Sequence, residues 1–139
     1  MLSQGDVRIE SITIFVSEYL PRIHGFEIKL SNGSSSGEIK TNYRCKEVTF
    51  DLLGYDISQV GLKVDAMMGK YQCFTGVRFM TLQDGEHRII CEEEFGDEGE
   101  WVYEEIPDGQ RMIGMHGSIV DEFFVARLGC STVNMIGYQ

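Results

Sequence analysis

Three histidines, His24, His87 and His116, are the side chains best suited to acid–base chemistry near neutral pH. None of them belongs to an H-x-x-x-H or H-E-x-x-H spacing, which would aim two imidazoles at one metal ion. His24 and His87 lie beside glycine-containing turns, where a solvated imidazole is expected, and a general base also needs a positioned partner. The sequence contains no G-x-S-x-G nucleophile elbow, P-loop or dinucleotide fingerprint. We therefore predict that the chain is not an enzyme and has neither a metal site nor a cofactor.

The four cysteines are spaced too widely for a local metal site, since no C-x-x-C pair occurs among Cys45, Cys73, Cys91 and Cys130. Each lies in an apolar stretch, which favours a small buried hydrophobic side chain. The N-terminal residues lack the basic and apolar segments of a secretory signal. We expect a cytoplasmic protein that belongs to a larger assembly, with reduced thiols; for a chain secreted by another route, two disulfides are the alternative.

The densest charge lies between Cys91 and Trp101, where six carboxylates are accompanied by two glycines. The carboxylates are those of Glu92, Glu93, Glu94, Asp97, Glu98 and Glu100. A flexible loop of this kind can chelate calcium, which takes about six to eight oxygen ligands, but the run lacks the EF-hand order. The simplest interpretation is a solvated loop that raises solubility. The third interpretation, which we adopt as the candidate site, is a docking surface for a basic protein partner.

Composition and charge fix the broad class of the protein. The chain has 139 residues, 42% of them hydrophobic, which is enough for one domain spanning 1–139 with its own core. Its formal charge is 12 − 22 = −10. Such an acidic surface repels phosphate backbones and anionic lipids, so we expect neither nucleic acid nor a membrane as partner. No apolar run reaches the roughly 18 residues that a membrane-spanning helix needs.

Elements that would position these residues are predicted to be short strands joined by glycine turns. Apolar residues recur at every second position in several runs, for example 26–30, as in a strand with one wet face. The Ser- and Gly-rich residues 31–37 predict a hairpin tip, and further turns are predicted at 83–86 and 107–109. No window has the apolar stripe of a long amphipathic helix, and only residues 58–64 suggest a helical turn. The pattern predicts an all-β domain.

Aromatic side chains near the end of the chain permit two interpretations. Trp101, Tyr103, Phe123 and Phe124 could form a platform on which sugars stack. At strand spacing such residues more often pack in a core, and core packing is the interpretation that we favour.

The order of these segments resembles the jacalin-related lectins over most of the chain. Residues 7–14 and 23–30, followed by Asn32-Gly33, are similar to the family's paired early strands and glycine turn. Residues 106–118, I-P-D-G-Q-R-M-I-G-M-H-G-S, resemble its proline, glycine and I-V-G-F-x-G stretch. The resemblance implies a jacalin-like β-prism, with three antiparallel sheets in a pseudo-threefold arrangement.

In that family a sugar lies between an N-terminal glycine-rich loop and a late G-x-x-x-D loop. Here Gly5 stands alone, and aligning the closing strands places Ala126 at the family's aspartate. The resemblance therefore implies an interaction or structural module, non-catalytic, with the usual sugar site lost or altered and with protein partners. The alternative is a functional carbohydrate-binding lectin that binds a glycan through a literal G-x-x-x-D stretch and its neighbours. The residues of this alternative site are Gly117, Ser118, Asp121, Glu122 and Phe123.

Overall fold

The computed structural model describes residues 7–19, 21–41, 44–68, 71–120 and 124–134. These residues form β-strands and turns, and none of them forms a helix that could cross a membrane. The strands are β1 (Ile9–Ser17), β2 (Ile23–Leu30), β3 (Ile39–Lys40), β4 (Cys45–Asp51), β5 (Ile57–Met68), β6 (Tyr71–Gln83), β7 (Glu86–Glu94), β8 (Glu100–Glu105), β9 (Gln110–Val120) and β10 (Phe124–Asn134).

The strands form three antiparallel sheets that repeat one plan. The first sheet has the order β3-β2-β1-β4 and the second has the order β7-β6-β5-β8. In each of these sheets the first two strands form a central hairpin. The third strand lies beside the second, and the fourth strand lies beside the first. The third sheet, with the order β10-β9, corresponds to the central hairpin. The predicted all-β fold with three antiparallel sheets is confirmed, although the described residues supply two strands to the third sheet instead of four.

The hydrophobic core is the inner face shared by the three sheets. Ile12 and Ile14 of β1 are fully buried, as is Phe79 of β6, and Met112 of β9 is almost completely buried. The rings of Phe50 and Phe79 meet edge to face with their centroids 5.4 Å apart, which joins the first sheet to the second. Burial of this apolar surface is the main force that holds the sheets together.

Local turn chemistry accounts for the predicted connections. β6 and β7 are joined at Asp84 and Gly85, which have φ angles of 55° and 81°, the left-handed values that a tight hairpin requires. The prediction of a helical turn at 58–64 is wrong, because these residues lie within β5, which pairs with both β6 and β8. Val60 and Leu62 are two residues apart, which is the period of a strand. The hydrogen bonds of β5 to the two neighbouring strands stabilise the extended conformation.

Candidate functional site

The two ends of the prism differ in polarity. Asp56, directly before β5, accepts hydrogen bonds from Arg8, directly before β1, at 2.9 Å and from Arg111, at the start of β9, at 3.0 Å. The strands β1, β5 and β9 therefore begin at one end, which we name the start end, and finish at the other, which we name the polar end. Of the described residues between strands, 18–19, 21–22, 41, 44 and 95–99 lie at the polar end.

Buried polar side chains gather toward the polar end. They are Ser17, Arg22, His24, Thr41, Lys63 and Thr75. At the start end the buried side chains are apolar, for example Ile9, Leu52 and Ile57. Burying polar groups costs stability unless they are hydrogen-bonded, so their concentration at one end is typical of a site more than of a core.

His24 illustrates the chemistry of this end. It lies in β2 and only 3% of its surface is exposed. Its Nδ1 shares a hydrogen bond of 2.9 Å with Oγ1 of Thr41, whose backbone N–H donates to the His24 carbonyl at 3.0 Å. Burial and the nearby charge of Arg22 lower the pKa of His24 to about 4, so the imidazole is neutral at physiological pH. The expectation of a solvated His24 beside a turn is wrong, because β2 is buried along residues 23–26.

The acidic run differs from the predicted flexible loop. Glu92 and Glu94 belong to β7, and both accept hydrogen bonds from cations of the same sheet. Arg78 Nε donates to Glu92, while the buried Lys63 Nζ donates to Glu94 at 3.3 Å. Glu93 also lies in β7, and Glu100 begins β8, which leaves 95–99 as the connection between the strands. Two of the predicted partner-binding carboxylates are thus engaged within the chain.

The connection 95–99 is held in place by hydrogen bonds. The backbone N–H groups of Phe95 and Gly96 donate to the Thr75 carbonyl at 2.7 and 3.3 Å, and the Thr75 hydroxyl donates to the Glu98 carbonyl at 2.9 Å. Lys63 Nζ donates to the Gly96 carbonyl at 2.9 Å. Within the described part of the chain, no three side chains of His, Cys, Asp or Glu come together as metal ligands.

Trp101 and Tyr103 lie on the outer face of the second sheet, so their predicted place in the core is wrong. Tyr103 is 42% exposed, and a Cβ at Gly61 would come within 2.8 Å of its ring, which shows that the ring covers that glycine. The Arg78 guanidinium lies 3.8 Å from the centroid of the Trp101 ring and donates to the Tyr103 hydroxyl at 2.6 Å. Phe123 lies outside the described residues.

A cleft of about 210 Å³ opens at the polar end between the first and second sheets. It is lined by Val16, Ser17, Glu18, Tyr19, Pro21, Lys46 and Phe95. The Tyr19 side chain stands out with 71% exposure. Gly96 lets the two connections approach, since a Cβ there would lie 3.0 Å from the Cβ of Pro21. An exposed ring beside an acid and a lysine suits a ligand with one apolar face and several hydroxyl groups.

Sequence analysis did not identify the cleft residues Tyr19 and Lys46. They are brought together by the pairing of β1 with β4, in which Val16 lies opposite Lys46. The available signal was an aromatic residue in a short connection that contains Pro21. Such a signal becomes informative only when the partner strand is known.

The strand register concerns two of the five residues of the predicted sugar site. Val120 lies opposite Phe124, so β9 ends and β10 begins at the polar end. Asp121, Glu122 and Phe123 of the predicted site lie outside the described residues. The other two members of that site, Gly117 and Ser118, belong to β9.

Ala126 belongs to β10 instead of the loop, next to a register shift between Val125 and Arg127. The alignment of Ala126 with the family's aspartate and the role of the literal G-x-x-x-D stretch that ends at Asp121 stay predictions.

Comparison with known proteins identifies the fold. No protein-family model matches the sequence, and no curated protein matches it either. Among solved structures, the chain is similar to a prostate-specific WGA16 glycoprotein lectin, with a TM-score of 0.72 and 15% identity over 97% of this chain and 88% of that one. It is also similar to AcmJRL, a mannose-binding jacalin-related lectin from Ananas comosus, with a TM-score of 0.65 and 14% identity over 96% and 87%. The lectin MPA, in complex with T-antigen disaccharide, matches with a TM-score of 0.60 and 19% identity over 90% and 91%.

These likenesses establish that the chain has the jacalin-like β-prism fold. All three structures are of lectins. At such low identity the likeness concerns the fold, and the site has to be argued from this chain's own residues.

Proposed function

We propose that the chain is a non-catalytic carbohydrate-binding module whose glycan site lies at the polar end of the prism. The observation that carries this proposal is the cleft at that end, with the exposed Tyr19 beside Glu18 and Lys46. The similarity to lectins supports the same function. Sugars offer an apolar face of C–H groups and a rim of hydroxyls, and both have complementary partners in the cleft.

The cleft is organised before any ligand arrives. Ser17 Oγ accepts the backbone N–H of Tyr19 at 3.1 Å, and the backbone N–H of Ser17 donates to the Arg22 carbonyl at 3.1 Å. The backbone N–H of Glu18 donates to the Arg44 carbonyl at 3.3 Å, which fixes the backbone at Glu18. A connection fixed in this way loses little conformational freedom on binding, which favours affinity.

Asp121 is the residue of the predicted site that would contribute most. It lies outside the described residues, and its role in the proposed site comes from the resemblance to the family's G-x-x-x-D loop. An ionised carboxylate accepts two or more hydrogen bonds from sugar hydroxyls, and charged hydrogen bonds are stronger than neutral ones. We therefore propose Asp121 as a second glycan-binding residue in addition to Tyr19.

A second candidate function is the interaction or structural module that the sequence analysis put first, with the usual sugar site altered. Its supporting observation is the set of exposed carboxylates on β7, β8 and their connection: Glu93, Asp97, Glu98 and Glu100. Such a surface would attract a basic protein partner. The comparisons favour carbohydrate binding, so this function ranks second.

Mutagenesis of Asp121 tests the proposal. Asp121→Ala should leave the thermal melt unchanged and weaken glycan binding, measured by calorimetry, by about 1–3 kcal/mol through the lost charged hydrogen bond. Asp108→Ala, in the exposed turn before β9 at the start end, is the matched control and should retain full affinity. Equal affinities of both variants and the unaltered chain would refute the assignment of the site.

A further inference from the structure

Lys46 places a positive charge in the cleft at the polar end. In β4 it belongs to the same row as Phe50 and Val48, and it lies opposite Val16 of β1. This row points inward, because Phe50 and Val16 are buried in the core, and Lys46 is its last member toward the polar end. A lysine at such a position packs its stem against the apolar row and presents its ammonium group at the edge, here in the cleft that Lys46 lines.

The positive charge of Lys46 is not neutralised by a carboxylate of the described residues. None of the ion pairs found among them uses Lys46. The buried lysine of the second sheet differs in this respect, since Lys63 Nζ lies 3.3 Å from a carboxylate oxygen of Glu94. The chain has 22 acidic residues and 12 lysines and arginines, so acids are plentiful. An exposed lysine that no acid accompanies, in a cleft of such a chain, is suited to an external anion.

A second cation lies beside the cleft and offsets its acid. Among the described lining residues Glu18 is the single acid. The Nε atom of Arg44 lies 4.0 Å from Oε2 of Glu18, and both side chains are exposed. Such an exposed pair is weak, but its charges cancel at a distance. The positive charge of Lys46 therefore remains at this side of the cleft.

The opposite side of the cleft limits how much negative charge a ligand can carry. Phe95 lines the cleft there, and the same connection contains the exposed acids Asp97 and Glu98. Charges repel one another over about 8 Å at physiological ionic strength. A long polyanion that crosses the polar end would meet these acids, whereas a ligand with one anionic group can direct it toward Lys46.

We propose that the cleft selects glycans with a single acidic sugar, whose carboxylate pairs with Lys46 while a sugar ring lies against Tyr19. This inference rests on the proposed function, since it names the class of glycan for the same cleft. Sialic acids and uronic acids share the required chemistry, a ring with hydroxyl groups and one carboxylate. A charge-assisted hydrogen bond from the ammonium group to that carboxylate is stronger than a bond to a neutral hydroxyl.

The experiment uses the full chain and a glycan array on which each neutral glycan is printed beside its sialylated and its glucuronylated form, together with heparin. One acidic form should bind about three- to fivefold more tightly than the neutral form, as expected for one ion pair, and the two acidic forms distinguish sialic from uronic acid. Lys46→Gln should abolish this preference without changing the thermal melt or the binding of the neutral form, and Lys46→Arg should keep it. Lys29→Gln is the matched control, because Lys29 is an exposed lysine on the outer face of the first sheet near the start end.

The outcomes separate this inference from the proposed function. Equal binding of neutral and acidic forms by the unaltered chain would overturn the selection of an acidic sugar and leave glycan binding intact, whereas no binding of any form would overturn both. Equal weakening of both forms by Lys46→Gln, or loss of the preference in Lys29→Gln as well, would show that Lys46 does not select the charge. Tighter binding of heparin than of the singly charged glycans would show attraction of polyanions and overturn the inference too.

Discussion

Replacing His24 gives the sharpest test of the buried polar end, because its effect depends on pH. The histidine has a pKa of about 4 in the folded chain, against 6.5 as its ordinary value. Below pH 6.5 the His24 imidazole is protonated in the unfolded chain but stays neutral in the folded chain. His24 therefore destabilises the fold progressively as the pH falls. The difference between these two pKa values destabilises the fold by about 3 kcal/mol near pH 4.

The assay is urea unfolding of the wild-type chain and the His24→Gln variant at several values between pH 7 and pH 4. The other titrating groups are common to both proteins, so the difference between their free energies of unfolding isolates His24. From pH 7 to pH 4 the wild type should lose about 3 kcal/mol more than the variant. His87→Gln, which removes an exposed imidazole bonded to Ser58, is the matched control. A wild-type–variant difference that stays constant within about 0.5 kcal/mol over this range would refute the account of His24.

Two further substitutions test the core and the start end. Phe79→Ala should cost about 3–5 kcal/mol in urea unfolding, because Phe79 is fully buried and packs on Phe50; a loss below about 1 kcal/mol would contradict its place in the core. Asp56→Asn should cost about 1 kcal/mol, and less at high salt, because it weakens exposed ion pairs with Arg8 and Arg111. Asp108→Asn is its control, and a salt-independent loss would show that the ion pairs are not the cause.

Features set by local chemistry could be predicted from the sequence. The turn at Asp84-Gly85 follows from the need for positive φ, and the connection at 107–109 from proline followed by glycine. Alternating apolar residues identified most strands. Such features depend on residues close in sequence, so one sequence is enough to find them.

Features that depend on distant residues could not be predicted. His24 was expected in solvent, but the pairing of β2 with β1 and β3 buries it against Thr41. The carboxylates of β7 were expected to be free, but Arg78 and Lys63 on neighbouring strands bind two of them. These contacts are decided by strand register, which composition and spacing do not specify.

The most direct test of the central claim is a glycan array probed with the purified chain, in the presence of calcium and of a chelator, alongside Tyr19→Ala. Tyr55→Ala is the control, since Tyr55 is also an exposed tyrosine and lies near the start end. The account predicts specific binding that is lost in Tyr19→Ala, kept in Tyr55→Ala and unaffected by the chelator. No binding by the folded chain, or equal binding by both variants, would contradict a glycan site at the polar end.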